Sequence, residues 1–149
     1  MKDNFEVDID DTINSGQVFL WKKFNSKWHG INGEKTLILG DKLNLKSREI
    51  YDFFRFDDDF QKIKKQLSKD SIAKKAIGNF PGMRILRQDP FQCYISFIVS
   101  SNSNIPNIQI RLQKLSQRFG EKKIIDDKEF FLFPKPEKLA NSSLSLIHI

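Results

Sequence analysis

The side chains equipped for chemistry fall in two short blocks. The first is Ser15-Gly-Gln-Val-Phe-Leu-Trp21, followed by Trp28-His-Gly30. A glycine between a short helix and a strand is ordinarily a turn residue, because it adopts positive φ without a Cβ clash. It can also serve function, since a residue without Cβ lets a ligand come close to the main chain, and Gly16 is placed for that. Phe19, Trp21 and Trp28 read most simply as sheet core. The second block is Arg84-Ile-Leu-Arg-Gln-Asp-Pro90, leading into Ser96-Phe-Ile-Val-Ser-Ser-Asn-Ser-Asn-Ile-Pro106. Amides and hydroxyls at a helix–helix corner can cap helices, but they also offer the donors and acceptors that read base edges. Basic residues on both sides of this corner add an electrostatic footprint.

Other chemistries have little support. One cysteine, Cys93, excludes an intramolecular disulfide and fits a reducing compartment. With only His29 and His148 beside it, no zinc or iron–sulfur spacing exists. The acidic run Asp57–Asp59 is explained more simply by helix capping than by a metal. No metal or cofactor is expected. The 25 Lys and Arg exceed the 19 Asp and Glu by six, and an isoelectric point near 9.4 favours a polyanionic partner. The longest apolar run is far too short to span a bilayer, and the first residues lack the apolar core of a signal peptide. An intracellular protein without a membrane association is expected.

These blocks need elements to hold them. Phe5-Glu-Val-Asp-Ile9 alternates as a half-buried strand does. Val18–Phe24, Trp28–Ile31 and Lys35–Leu39 read as further strands, Lys42–Leu45 as one more, and their short connections predict an antiparallel meander. Glu49–Phe56 is a short amphipathic helix. The next starts at an Asp57 cap, with Phe60, Ile63 and Leu67 on one face. Asn79-Phe-Pro-Gly82 breaks the chain. Asp89-Pro90 then starts a helix that is apolar nearly all round over Phe91–Val99 and is expected to be buried. A further helix begins near Pro106, with Ile105, Ile108, Leu112, Leu115 and Phe119 at helical spacing and Gly120 at its end. Phe130–Pro136 reads as a connector, and Pro136-Glu-Lys-Leu-Ala140 as the first turn of another helix.

The two blocks together, in this order, resemble the 8-oxoguanine DNA glycosylase family. The matching pieces are the serine–glycine–glutamine–x–phenylalanine–x–tryptophan block, Trp28-His-Gly30, the Arg84–Pro90 box, and Ser-Ser-Asn-x-Asn-Ile over 100–105. The resemblance covers roughly residues 8–143. The resemblance implies an α+β fold: a twisted antiparallel sheet domain like the TATA-binding protein over 1–88, then over 89–143 the first helices of an incomplete helix–hairpin–helix glycosylase domain. It also implies base excision repair, with a damaged base flipped from double-stranded DNA into a pocket. The glycine aligned with Gly16 would accept, through its carbonyl, the N7 hydrogen that oxidised guanine has and guanine lacks. Asn102 would contact the orphaned cytosine, with Ser103 and Asn104 beside it. Ser103 stands where better-known members carry asparagine. Asn107 stands where many carry an arginine that reads that cytosine, which weakens the expectation of strict cytosine selection.

The family's chemistry uses a lysine that forms a Schiff base with the sugar C1′, assisted by an aspartate. Both would align beyond residue 143, so this chain is expected to carry no catalytic residue and to be an inactive fragment of a bifunctional N-glycosylase and abasic-site lyase. The last six residues, Leu144-Ser-Leu-Ile-His-Ile149, read as a non-native tail. A monomer acting on DNA in the cytoplasm, nucleoid or nucleus is expected. The alternatives are a non-catalytic nucleic-acid-binding module, or a structural or interaction protein with a basic surface.

Overall fold

The computed structural model describes residues 6–142. The 144–149 tail and Phe5 lie outside the described residues. The chain forms two compact units, both discontinuous in sequence: Met1–Gln17 with Lys42–Arg87, and Val18–Asp41 with Gln88–Ile149.

The first unit is helical, with α1 (Ile9–Asn14), α2 (Arg48–Phe53), α3 (Phe60–Leu67) and α4 (Ser71–Asn79). Every one of them opens on a side-chain cap. Asp8 accepts from Asp11 N at 2.8 Å, Asp59 from Lys62 N at 3.0 Å, and Asp70 from Ile72 N and Ala73 N at 2.9 and 2.8 Å. Ser47 does the same for α2 at 3.4 Å. Each such cap satisfies backbone N–H groups that the helix itself leaves unpaired, contributing about 1 kcal/mol. The core gathers Ile13, Ile50, Phe53, Phe54, Phe56 and Leu86.

Three expectations fail here. Residues 6–8 form no strand, and Ile9 begins α1, because the Asp8 carboxylate is taken by the α1 N-terminus. Lys42–Leu45 is not a strand either. The α3 cap is Asp59 and not Asp57. Asp57 instead meets the Arg87 guanidinium through two hydrogen bonds at 3.2 and 3.0 Å, and Asp58 meets Arg55 at 2.8 Å. The apolar α3 face stays partly in solvent, with Ile63 and Leu67 exposed.

The second unit is α+β. Strands β1 (Trp21–Phe24), β2 (Lys27–Asn32) and β3 (Lys35–Leu39) form an antiparallel meander in that order. Asn25 and Ser26 both take positive φ (46° and 62°), the signature of a two-residue hairpin turn whose twist matches the strands. Helices α5 (Pro90–Ser100) and α6 (Ile105–Phe119) follow, then a hairpin of β4 (Lys122–Ile125) and β5 (Lys128–Phe131), and α7 (Pro136–Ala140). The Asp89 cap and Pro90 at the first helical position start α5 as expected. A β4–β5 hairpin that the sequence did not signal precedes the expected connector and takes in its first two residues, Phe130 and Phe131, while 132–135 carry no regular structure; Asp126 and Asp127 turn the hairpin, again at positive φ. Ile108, Leu112 and Leu115 of α6 pack with Phe19, Ile31, Leu132 and Phe133.

Helix α5 is buried on one face only, where Phe91, Ile95 and Val99 pack against the core. Tyr94, Phe97 and Ile98 are exposed, whereas the polar Gln92 and Ser96 are buried. Gln92 goes inside because its amide is fully engaged: Oε1 accepts from Gly33 N at 2.7 Å, and Nε2 donates to Ile31 O at 3.0 Å. It thereby satisfies two main-chain groups near the end of β2, at the turn before β3, that would otherwise be buried without partners.

Gly120 closes α6 with extended, not left-handed, backbone (φ −86°, ψ 161°). Its need for glycine is steric. A Cβ there would lie 1.9 Å from Leu132 O.

Candidate lesion-reading and base-contact residues

In the first unit, α1 ends at Ser15, whose hydroxyl donates to Thr12 O at 2.7 Å. Gly16 follows at φ +83°. A left-handed glycine just past a helix is the ordinary stop signal, and a side chain there would be strained. Gly16 is half-buried, and among the described residues its carbonyl accepts no hydrogen bond.

The next residue holds the segment still. Gln17 donates through Nε2 to Ser15 Oγ at 2.8 Å and to Arg84 O at 2.9 Å, and accepts through Oε1 from Leu86 N at 2.9 Å. The glutamine of the first block is thus bonded to the main chain of the second. Composition and spacing gave no sign of that pairing. Its partners are 67 and 69 residues away.

Arg84 is not an electrostatic surface residue. It is 3% exposed. Its guanidinium donates to Phe54 O and Arg55 O at 2.8 Å each and to Glu6 O at 3.3 Å, and it lies 4.9 and 4.3 Å from the ring centroids of Phe56 and Phe60. Burial pulls its pKa below the ordinary arginine value, while Asp58 pushes it back up. Arg87, by contrast, is exposed and held above its ordinary value by the Asp57 hydrogen bond. The same hydrogen bond lowers Asp57.

In the second unit, the corner between α5 and α6 gathers Asn102, Ser103, Asn104 and Asn107. Asn102 is exposed and left-handed (φ +53°), a conformation asparagine tolerates better than most residues. Among the described residues its amide makes no hydrogen bond. Asn104 is occupied: its Oδ1 accepts from Asn107 N at 3.0 Å and caps α6. The Asn107 side chain is exposed and extends from the first turn of α6. Ser103 carries a buried hydroxyl oxygen without a partner. Among the described residues the corner therefore presents two amides without a partner and one orphaned hydroxyl, with one amide spent on capping. Gly16 belongs to the other unit.

His29, which sequence reasoning placed only within a strand, is 3% exposed and lies 3.2 Å from Asp126 through Nε2. Its ring stacks on Phe130 (centroids 5.7 Å apart, 19° between planes). Among the described residues no group of histidine, cysteine and carboxylate side chains could hold a metal ion, and no helix is long and apolar enough to cross a membrane.

An α+β chain of this kind, with a small antiparallel sheet and capped helices, matches DNA glycosylases of known structure. Clostridium acetobutylicum 8-oxoguanine glycosylase/lyase in its apo form is 29% identical with a TM-score of 0.85, over 95% of this chain and 54% of that one. The same enzyme in complex with double-stranded DNA containing cytosine opposite 8-oxoguanine gives 29% and 0.84, over 95% of this chain and 53% of that one. The N-glycosylase/DNA lyase of Arabidopsis thaliana is 30% identical over 93% of this chain and 42% of its own length. Residues 1–94 match the family described as 8-oxoguanine DNA glycosylase, N-terminal domain. The chain belongs to the 8-oxoguanine DNA glycosylase family. It spans about half the length of the relatives it matches.

Proposed function

We propose that this chain supplies the damage-reading part of base excision repair of 8-oxoguanine in duplex DNA. In this reading the Gly16 carbonyl accepts the N7 hydrogen of the oxidised base. Asn102, with Ser103 and Asn104 beside it and Asn107 one turn into α6, meets the cytosine left in the helix and its backbone. Residues 1–88 serve as the family's amino-terminal domain, with a sheet like that of the TATA-binding protein, and 89–143 as the start of the helix–hairpin–helix domain. The protein works on DNA as a monomer. The family's lysine and aspartate have no counterpart in these 149 residues, so the chain as it stands binds and does not cut. The alternative is a non-catalytic nucleic-acid-binding module.

The observation that carries this reading is the conformation of Gly16. Its positive φ makes a side chain there strained, Gln17 fixes the adjoining backbone, and the carbonyl has no partner among the described residues. A single buried hydrogen bond, worth about 1 kcal/mol or more, separates lesion from base by roughly tenfold. The test is binding of the full chain to matched duplexes carrying 8-oxoguanine or guanine opposite cytosine, with borohydride trapping alongside. Expected are a several-fold lesion preference, its loss in Gly16→Ala, and no trapped adduct. Equal affinity for both duplexes would refute lesion reading and leave the binding-module alternative. A trapped adduct would refute the claim that the chain lacks the catalytic amine.

A further inference from the structure

Among the described residues, two of the buried polar atoms of the second unit that have no partner belong to residues lining one cavity. They are His29 Nδ1 and Ser116 Oγ, on side chains 3% and 2% exposed. A buried polar group left without a partner destabilises the fold, so such groups are rare. Two beside a single cavity of about 400 Å³ mark a place where a partner is missing. The cavity lies among the β1–β2 hairpin, α6 and β5, and the aromatic side chains on its walls include Phe19, Trp21, Phe24 and Phe130.

The hydrogen-bonding character of the histidine follows from its other nitrogen. Nε2 faces the Asp126 carboxylate, which only accepts, so in the neutral ring the proton sits on Nε2 and Nδ1 is an acceptor. Charge at the cavity is also one-sided. Among the described residues Lys22 and Lys128 line it, the carboxylate on its wall, Glu129, is already bonded to Lys122, and the Asp126 carboxylate behind His29 is taken by Nε2. Lys22 reaches only the neutral amide of Gln113, at 3.3 Å. Lys128 lies 4.6 Å from the Phe24 ring centroid, on the aromatic wall itself.

We propose that this cavity binds a planar two-ring heteroaromatic anion that presents an N–H group. The rings stack among the aromatic walls, the N–H donates to His29 Nδ1, Ser116 Oγ completes the polar contact, and the anionic substituent meets Lys22 and Lys128. Stacking and charge complementarity supply affinity, and the N–H supplies selectivity. The site does not depend on the lesion-reading assignment, since no residue proposed above to contact DNA lines it.

Free nucleotides and indole-type carboxylates share this chemistry, so the experiment has an arm for each. The full isotope-labelled chain is titrated by NMR with guanosine 5′-monophosphate and with indole-3-acetate, following the His29 imidazole and the amides of Ile110 and Ser116. Two controls are 1-methylindole-3-acetate, which lacks the N–H, and tryptamine, which reverses the charge. At least one of the two anions is expected to shift cavity resonances at millimolar concentration. Methylation should weaken indole-3-acetate binding by about tenfold, the value of one hydrogen bond, and tryptamine should not bind. Lys128→Glu, a change that leaves His29 and Ser116 in place, should weaken either anion several-fold. Ser116→Ala should weaken it with no loss of fold, since it only removes an orphaned hydroxyl. No shift with either anion, equal binding of the methylated compound, or binding of tryptamine as tight as that of the anion would overturn the proposal.

Discussion

Replacing Arg84 by methionine separates a structural arginine from a DNA-contacting one. The guanidinium donates three hydrogen bonds to main-chain carbonyls, those of Phe54, Arg55 and Glu6, and lies over the rings of Phe56 and Phe60. Hydrogen bonds from a charged group contribute about 1.5–3 kcal/mol each. The 3.3 Å bond to Glu6 is the weakest, so two full contributions give about 3–6 kcal/mol gross. Relief of the buried charge offsets part of this, because a well-packed apolar replacement avoids the desolvation penalty. The Phe54 and Arg55 carbonyls are nevertheless left without their donor, and methionine fills the space without replacing it. A net loss of about 2–4 kcal/mol is expected. Urea unfolding followed by circular dichroism measures it. At the same time, the dependence of DNA affinity on salt should keep its slope, since removing a side chain that neutralises a phosphate would reduce that slope by about one. Arg84→Lys should be nearly as destabilised, because the single ammonium nitrogen cannot occupy both the Nε and Nη2 positions that donate to Phe54 O and Arg55 O. A variant within about 0.5 kcal/mol of the wild type, or one with a reduced salt slope at unchanged stability, would refute the structural assignment.

Gly30→Ala places a Cβ about 2 Å from the Trp21 ring. Trp21 is part of the β1 register opposite Gly30, so it cannot yield cheaply. The loss should be about 2–3 kcal/mol or more, and fluorescence of Trp21 should change with it, read by thermal melting at several emission wavelengths. The Glu6 carboxyl lies below its ordinary range chiefly through its hydrogen bond from Lys64, with Gln61 adding to it. A carboxylate lowered on folding adds stability above its unfolded value, near pH 4.3, and loses it as pH falls through the folded value. The first unit should therefore weaken on acidification below about pH 4.3, and Lys64→Met should flatten that part of the stability–pH curve while leaving the plateau near neutrality somewhat lower.

Local chemistry made much of this fold readable. The Asp89-Pro90 start, the break at Asn79–Gly82 and the spacing of Ile108, Leu112 and Leu115 all rest on interactions within a turn or two of chain. What escaped depends on distant partners. Residues 5–9 alternate as a strand does, yet Asp8 is the cap of the helix that follows. Asp57 looks like a cap, but its partner Arg87 is 30 residues away. The helix holding Gln92 is expected to be buried for its apolar residues, yet it is the Gln92 amide that goes inside, because Gly33 N and Ile31 O come to it from the end of β2 and the turn before β3. The β4–β5 hairpin turns on Asp126 and Asp127 with no glycine or asparagine, so its usual signal is missing. Among the site residues, Gly16 and the Asn102–Asn107 corner stand out by type, whereas the fixing role of Gln17 depends on contacts beyond any sequence window.

The discontinuous make-up of the two units sets an order on synthesis. All of the first unit has been made once Arg87 leaves the ribosome, with residues 18–41 looped out of it. The sheet strands in that loop have by then been extended for more than forty residues without the helices they pack against. Gly33 N and Ile31 O wait for an amide that arrives only with Gln92. The meander is the first part of its unit to be translated and among the last that can be finished, so a chaperone acting on this nascent chain would find its exposed strands there.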